Sequence, residues 1–437
     1  MTHCERLIFP PIDNSDDLKL EMETISKICN TINMLSFLKN KILMQKTLDD
    51  LKTHFSNRDV QKQNIFKMIS KESIDFLFNC ISENDTPIQT FESIICLFVE
   101  YSYYYKDLSY RFQASENTIN SLLKILFNTK NQYLFECILK LIYNVSCDTN
   151  VFFQRQSIIK IIKRFNENDK KKKIISFTLI NFFRFCNIDD SSIEKFFINI
   201  FSKWIKNNNN AYLTLNIEWC LYFWLRKSKN SINLFYRTFI NKFILEQIKC
   251  SDENISCVAL SIYSLGCNAN ICYQEQLYDS FPIIDILNIS SLLNKKSKLA
   301  IQLLNNFAAN GLKFINLLID NNILRLINNI IEINTSNQIK VEIFYLIITI
   351  INLGEKEQIV NFVHEKILNF IIDFLETEEN EYIRLIIKTF LKLLGDSYNI
   401  SNYIDHEEIL NLTNFYDQDI SENAKKIIKL MENNENS

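Results

Sequence analysis

The stretch IISFTLINFFRFC, Ile174 to Cys186, sets one side-chain amide, Asn181, in the middle of an apolar run. A carboxamide donates and accepts hydrogen bonds at once, and one left unpaired in an apolar interior costs about 1–3 kcal/mol. Something must compensate for it. The parts of a catalytic centre do not occur: His3, His54, His364 and His406 stand far apart, and there is no phosphate loop, nucleophile elbow or metal-ligand spacing. Carboxylates gather as ETEENE and SDEN, which read as solvated turns. The chain is therefore not expected to be an enzyme or to need a cofactor or metal. Polar recognition is the chemistry left to it.

The twelve cysteines sit mostly inside apolar runs with no CxxC pair, so they read as reduced core thiols of a nuclear or cytosolic protein. A net charge of −3 supplies no basic field for nucleic acid or an acidic membrane. The strongest basic run, Asp169 to Lys173, reads as a solvated turn before an apolar helix. The start MTHCERLIFPPIDNSDD lacks a signal-peptide core, and the longest apolar run, Ile343 to Leu353, is too short to span a bilayer. A soluble protein is expected.

The elements that must position these residues show in the punctuation. Four Gly and four Pro in 437 residues are too few for a β-sandwich or a nucleotide-binding α/β fold, whereas 47% hydrophobic residues suffice for a large helical core. The glycines, Gly266, Gly311, Gly354 and Gly395, are spaced by 45, 43 and 41 residues. Glycine just past a helix can close it in the left-handed conformation, so the spacing predicts one recurring helix terminus. Upstream, FESIICLFVEYS (Phe91 to Ser102) and FECILKLIYNVS (Phe135 to Ser146) lie 44 residues apart in the same register. Seven inner helices align in this way. A period near 42 with two or three helices per unit is that of armadillo or HEAT arrays, whose repeats bury a core only by stacking. The expected fold is an all-α, right-handed armadillo-repeat superhelix of about nine to ten repeats with a concave groove, over residues 46–437, after an N-terminal segment of residues 1–45.

These residues resemble the importin-α family of armadillo nuclear-import adaptors. KSKLAIQLLNNFAANG, INLLIDNNIL, VEIFYLIITI and GEKEQIVNFVHEKILNFIIDFL follow the family's order, TFESIICL resembles its first concave helix, and TLINFFR and WCLYFWL two later ones. The resemblance covers about Leu48 to Met431. It implies an adaptor that binds basic nuclear-localisation peptides of cargo proteins, moves between cytoplasm and nucleus, and works with importin-β and an export factor, without nucleic acid or membrane. The alternative is an armadillo scaffold that has lost transport and binds another extended partner.

In that family the concave helices carry Trp and, four residues on, Asn, which share one helix face. The corresponding pairs are Ile95/Val99, Lys140/Asn144, Phe177/Asn181, Trp219/Phe223, Ser261/Leu265, Gln302/Asn306 and Tyr345/Thr349. The resemblance implies an N-terminal peptide site of Asn144, Asp148, Phe177, Asn181 and Trp219, and a C-terminal one of Gln302, Asn306, Glu342 and Tyr345. Asn181 would then line the groove and need no internal partner. Lys140 departs from the pattern by placing a cation where an indole should receive one. So does the front of the chain: residues 1–45 hold five Lys/Arg against six Asp/Glu, without the basic arm that engages importin-β.

Overall fold

The computed structural model describes residues 18–37, 40–57, 66–83, 86–147, 159–163, 169–186, 190–206, 210–228, 231–267, 273–333, 335–375, 379–398 and 400–435. Every regular element among them is helical. Polar residues just before several helices act as caps. Ser115 accepts from the Thr118 N–H, Asn131 from those of Tyr133 and Leu134, and Asn294 from those of Lys296 and Ser297. Each such cap contributes about 1 kcal/mol by satisfying donors that the helix start leaves unpaired.

The chain forms two compact units, residues 1–224 and 225–437. The first holds α1 (Leu18–Phe37), α2 (Lys41–Asn57), α3 (Lys71–Ser82), α4 (Ile88–Tyr104), α5 (Asp107–Ala114), α6 (Glu116–Asn128), α7 (Gln132–Ser146), α8 (Asp169–Phe185), α9 (Ser191–Lys206) and most of α10 (Ala211–Lys227). Long helices stack on their counterparts one repeat back: α4 on α2, α7 on α4, α8 on α7. A parallel layer runs from α1 to α3 to α6. The boundary expected between residues 45 and 46 falls inside α2, along which α1 packs. Apolar faces fill the space between layers. Phe183, for example, stacks on Trp224 with ring centroids 5.3 Å apart and meets the edge of Phe197 at 4.8 Å.

The second unit repeats a triplet of two short helices and one long one. These are α11 (Ser231–Arg237), α12 (Ile240–Ile248) and α13 (Glu253–Cys267); α14 (Gln274–Ser280), α15 (Ile283–Ser290) and α16 (Lys295–Ala308); then α17 (Leu312–Asp320), α18 (Ile323–Glu332) and α19 (Asn337–Leu353). The pattern continues with α20 (Lys356–Ile359) and a 3₁₀ turn, α21 (Glu365–Ile372) and α22 (Asn380–Gly395), and closes on α23 (His406–Leu412) and α24 (Gln418–Glu435). The long helices stack in order α13, α16, α19, α22, α24. Lysines bridge successive repeats by donating to backbone carbonyls at or near helix ends: Lys296 Nζ reaches Cys250 O at 3.2 Å, Lys366 Nζ reaches Asn328 O at 3.0 Å, and Lys392 Nζ reaches Asn352 O at 2.9 Å. A cation at a helix C-terminus complements the dipole and the unpaired carbonyls.

The four glycines do mark one recurring position, the end of the long helix, but none closes it in the left-handed helical conformation expected: Gly311 has ψ −169° and caps the start of α17. Gly311 alone has a positive φ, +113°. Gly354 caps α19 in extended backbone. Gly266 lies within α13, where close packing excludes a side chain: a Cβ there would sit 2.6 Å from Phe235 Cε1.

Candidate peptide-binding face

The opening amide is buried, and it is paired. Asn181 has no exposed surface, and its Nδ2 donates to Tyr143 O and to Ser146 Oγ, both at 3.1 Å. The expectation that Asn181 lines a groove without an internal partner is thereby corrected. Asn144 is equally buried and repeats the arrangement one helix earlier, donating to Val99 O at 3.1 Å and Ser102 Oγ at 3.2 Å. In both cases the serine hydroxyl donates to the same carbonyl that receives the amide, Ser146 to Tyr143 O and Ser102 to Val99 O. The amide replaces lost water at two acceptors of the preceding helix, so the desolvation cost is met inside the stack. Neither Nδ2 can reach a ligand in this state.

A looser form of the same tie joins α10 to α8, where Asn216 donates to Ser176 Oγ at 2.8 Å. Sequence reasoning missed the serines. The signal was present, since both aligned stretches, FVEYS and IYNVS, end in serine at the same register.

The other positions of the first unit divide. Ile95 and Val99 are fully buried core residues. Phe177 is half-buried beside Tyr143, with ring centroids 5.7 Å apart. Trp219 is half-buried and stacks on Phe223 at 5.9 Å, with Tyr222 edge-on at 5.6 Å. The Arg184 guanidinium lies 6.0 Å from the Phe223 ring centre, so a cation of the chain itself already occupies this aromatic surface. Asp148 lies outside the described residues.

In the second unit the predicted residues fall on consecutive long helices. Gln302 and Asn306 are on α16, with Gln302 exposed and Asn306 half-buried against Ser264 Oγ of α13. Glu342 and Tyr345 follow on α19. The Tyr345 hydroxyl donates to Glu381 Oε1 of α22 at 3.0 Å, and the Tyr382 ring stands 6.0 Å from that of Tyr345. Glu381 and Tyr382 were not anticipated, because α22 carried no expected pair. Glu342 is only 9% exposed; burial holds its carboxyl above the usual range, and the Lys298 charge opposes the shift. Burial and the Glu381 carboxylate raise the Tyr345 phenol, which stays neutral and donates. The Glu381 carboxylate and two phenol rings thus share one surface, with Glu342 nearly buried on the same helix as Tyr345. Such a surface accepts a cation through charge and through ring faces.

Among the described residues no group of His, Cys, Asp or Glu is arranged to hold a metal, and no helix is long and apolar enough to cross a membrane. Short–short–long triplets with stacked long helices define an all-α repeat protein of the armadillo type. An engineered protein of known crystal structure shares this fold over 93% of this chain and 98% of its own, with TM-score 0.73 and 11% identity. Two designed armadillo repeat proteins match at TM-score 0.45 and 14% identity; one covers 52% of this chain and 96% of its own, the other, designed for modular peptide recognition, 51% and 95%. No protein-family model and no curated protein matches the sequence.

Proposed function

We propose that the chain is a peptide-binding adaptor that holds an extended, Lys/Arg-bearing segment of a partner protein against the long helices of its second unit. The observation that carries this reading is the acceptor surface of Tyr345, Glu381 and Tyr382, with Glu342 nearly buried next to it and Gln302 and Asn306 on the long helix stacked before. The carboxylates meet the cation, the rings stack its stem, and the exposed Gln302 amide would bond a peptide backbone. On the resemblance of its sequence, the cargo is a nuclear-import substrate and the protein passes between cytoplasm and nucleus. Importin-β and an export factor would complete the cycle.

The test is fluorescence anisotropy of a labelled Lys/Arg-rich peptide at two salt concentrations. Binding that weakens as salt rises supports charge-paired recognition. Absence of binding overturns it.

A second reading has its own support in the buried amides of Asn144 and Asn181. With these turned inward, the first unit acts as a scaffold whose aromatic surface, Phe177, Trp219 and Phe223, takes a partner that need not be basic.

A further inference from the structure

Between α4 and α7 two thiols meet. Cys96 Sγ and Cys137 Sγ are 3.8 Å apart, and both residues are buried. The Tyr133 hydroxyl stands 3.5 Å from Cys96 Sγ, and that tyrosine is 40% exposed, so the sulfur lies one side chain below solvent. Lys52 of α2 holds its ammonium 4.8 Å from the Tyr133 ring centre and 3.2 Å from Glu92 Oε1, whose other oxygen accepts from Asn131. The cluster therefore draws on α2, α4 and α7, and it combines two thiols in contact, a phenol hydroxyl and a cation.

We propose that Cys96 and Cys137 form a reactive dithiol that closes to an inter-repeat disulfide on reaction with a hydroperoxide. Cys96 is the attacking group: the Cys137 hydrogen bond, the Tyr133 hydrogen bond and the Lys52 charge together lower its thiol below the usual range against the opposing burial. Cys137, hydrogen-bonded to Cys96 and buried, is held in the thiol form, with the Lys140 charge and the Tyr133 hydrogen bond too weak to reverse this. With hydrogen peroxide, the Cys96 thiolate attacks one oxygen, the O–O bond breaks, and the departing hydroxide takes up the proton that Cys96 released to become water. The sulfenic acid left on Cys96 is then attacked by the Cys137 sulfur. The S–S bond forms as the S–O bond breaks, and hydroxide leaves with the Cys137 proton as a second water. Two thiols lose two electrons and one peroxide becomes two waters.

The residues joined are 41 apart in sequence and lie on successive long helices, so the bond would staple one repeat to the next. It would be absent under reducing conditions and would stiffen α4 against α7 under oxidative stress.

The experiment treats the full chain with graded hydrogen peroxide under native conditions, blocks the remaining thiols in denaturant and maps peptides by mass spectrometry without reduction. The expected result is a Cys96–Cys137 cross-linked peptide that appears before the other cysteines are modified, disappears on treatment with dithiothreitol and raises the thermal midpoint. Cys137→Ser, checked for folding by circular dichroism, should instead accumulate a dimedone-reactive sulfenic acid at Cys96. The proposal is overturned if both thiols remain alkylatable while others oxidise, or if Cys96 in folded Cys137→Ser traps no dimedone.

Discussion

Asn181 on α8 is tied to Tyr143 on α7 across 38 residues of sequence by a single 3.1 Å hydrogen bond from amide to main-chain carbonyl. The bond reaches the same turn in which Ser146 folds back on Tyr143, and Asn144 makes the equivalent contact to Val99 and Ser102. A polar residue that would otherwise weaken an apolar interface thereby sets the register in which one repeat meets the next.

Removing the amide should therefore cost stability. Asn181→Ala leaves the Tyr143 carbonyl short of a buried donor and is expected to lower stability by about 1–3 kcal/mol, read from urea unfolding. Ser146→Ala should cost less, and the double variant should fall short of the sum because both groups serve one carbonyl. Strict additivity would show that the two act separately.

Glu342 gives the stack a pH dependence of known sign. Its carboxyl is raised above the ordinary value of 4.5, chiefly by burial, so the folded chain holds that proton more tightly than the unfolded one. Stability from this group is then lost as pH climbs from 4.5 through the raised value, and ionised Glu342 is a burden at neutral pH. Glu342→Gln should raise the thermal midpoint at pH 7, with the gain fading as the pH is brought down to 4.5 in parallel melts. A bound cation beside the carboxylate should reverse part of the shift.

Gly266 is held by crowding. Alanine favours a helix interior over glycine by about 0.5–1 kcal/mol, yet its methyl would meet Phe235, which is 1% exposed and has no room to withdraw. Overpacking of this kind costs about 1–3 kcal/mol, so Gly266→Ala should be net destabilising in thermal melts. Adding Phe235→Leu should recover part of the loss; if the pair is no better than the single variant, the clash is not the cause.

Much of the fold was legible because stacking repeats must restate their apolar faces. The 44-residue register of the Phe91 and Phe135 stretches, and the glycines at the ends of long helices, both correspond to real elements. What failed was orientation within a face. Asn144 and Asn181 stand four residues after half-buried positions, but the packing of α7 on α4 and of α8 on α7 puts them in the interface. An amide in an apolar run reads alike whether its partner is a ligand or a carbonyl one repeat back. The serines that decide between these were in register and were passed over. Glu381 and Tyr382 escaped notice because they meet Tyr345 from the first turn of the next long helix, a contact no spacing along α19 could reveal.

The account turns on where a basic peptide binds. The most direct measurement is anisotropy of one labelled Lys/Arg-rich peptide against the wild type, Tyr345→Ala with Glu381→Gln, and Trp219→Ala, each confirmed folded. The account predicts salt-sensitive binding that falls at least about tenfold, some 1.4 kcal/mol, in the Tyr345/Glu381 variant and little in Trp219→Ala. Equal affinity in the Tyr345/Glu381 variant, or loss confined to Trp219→Ala, would contradict it.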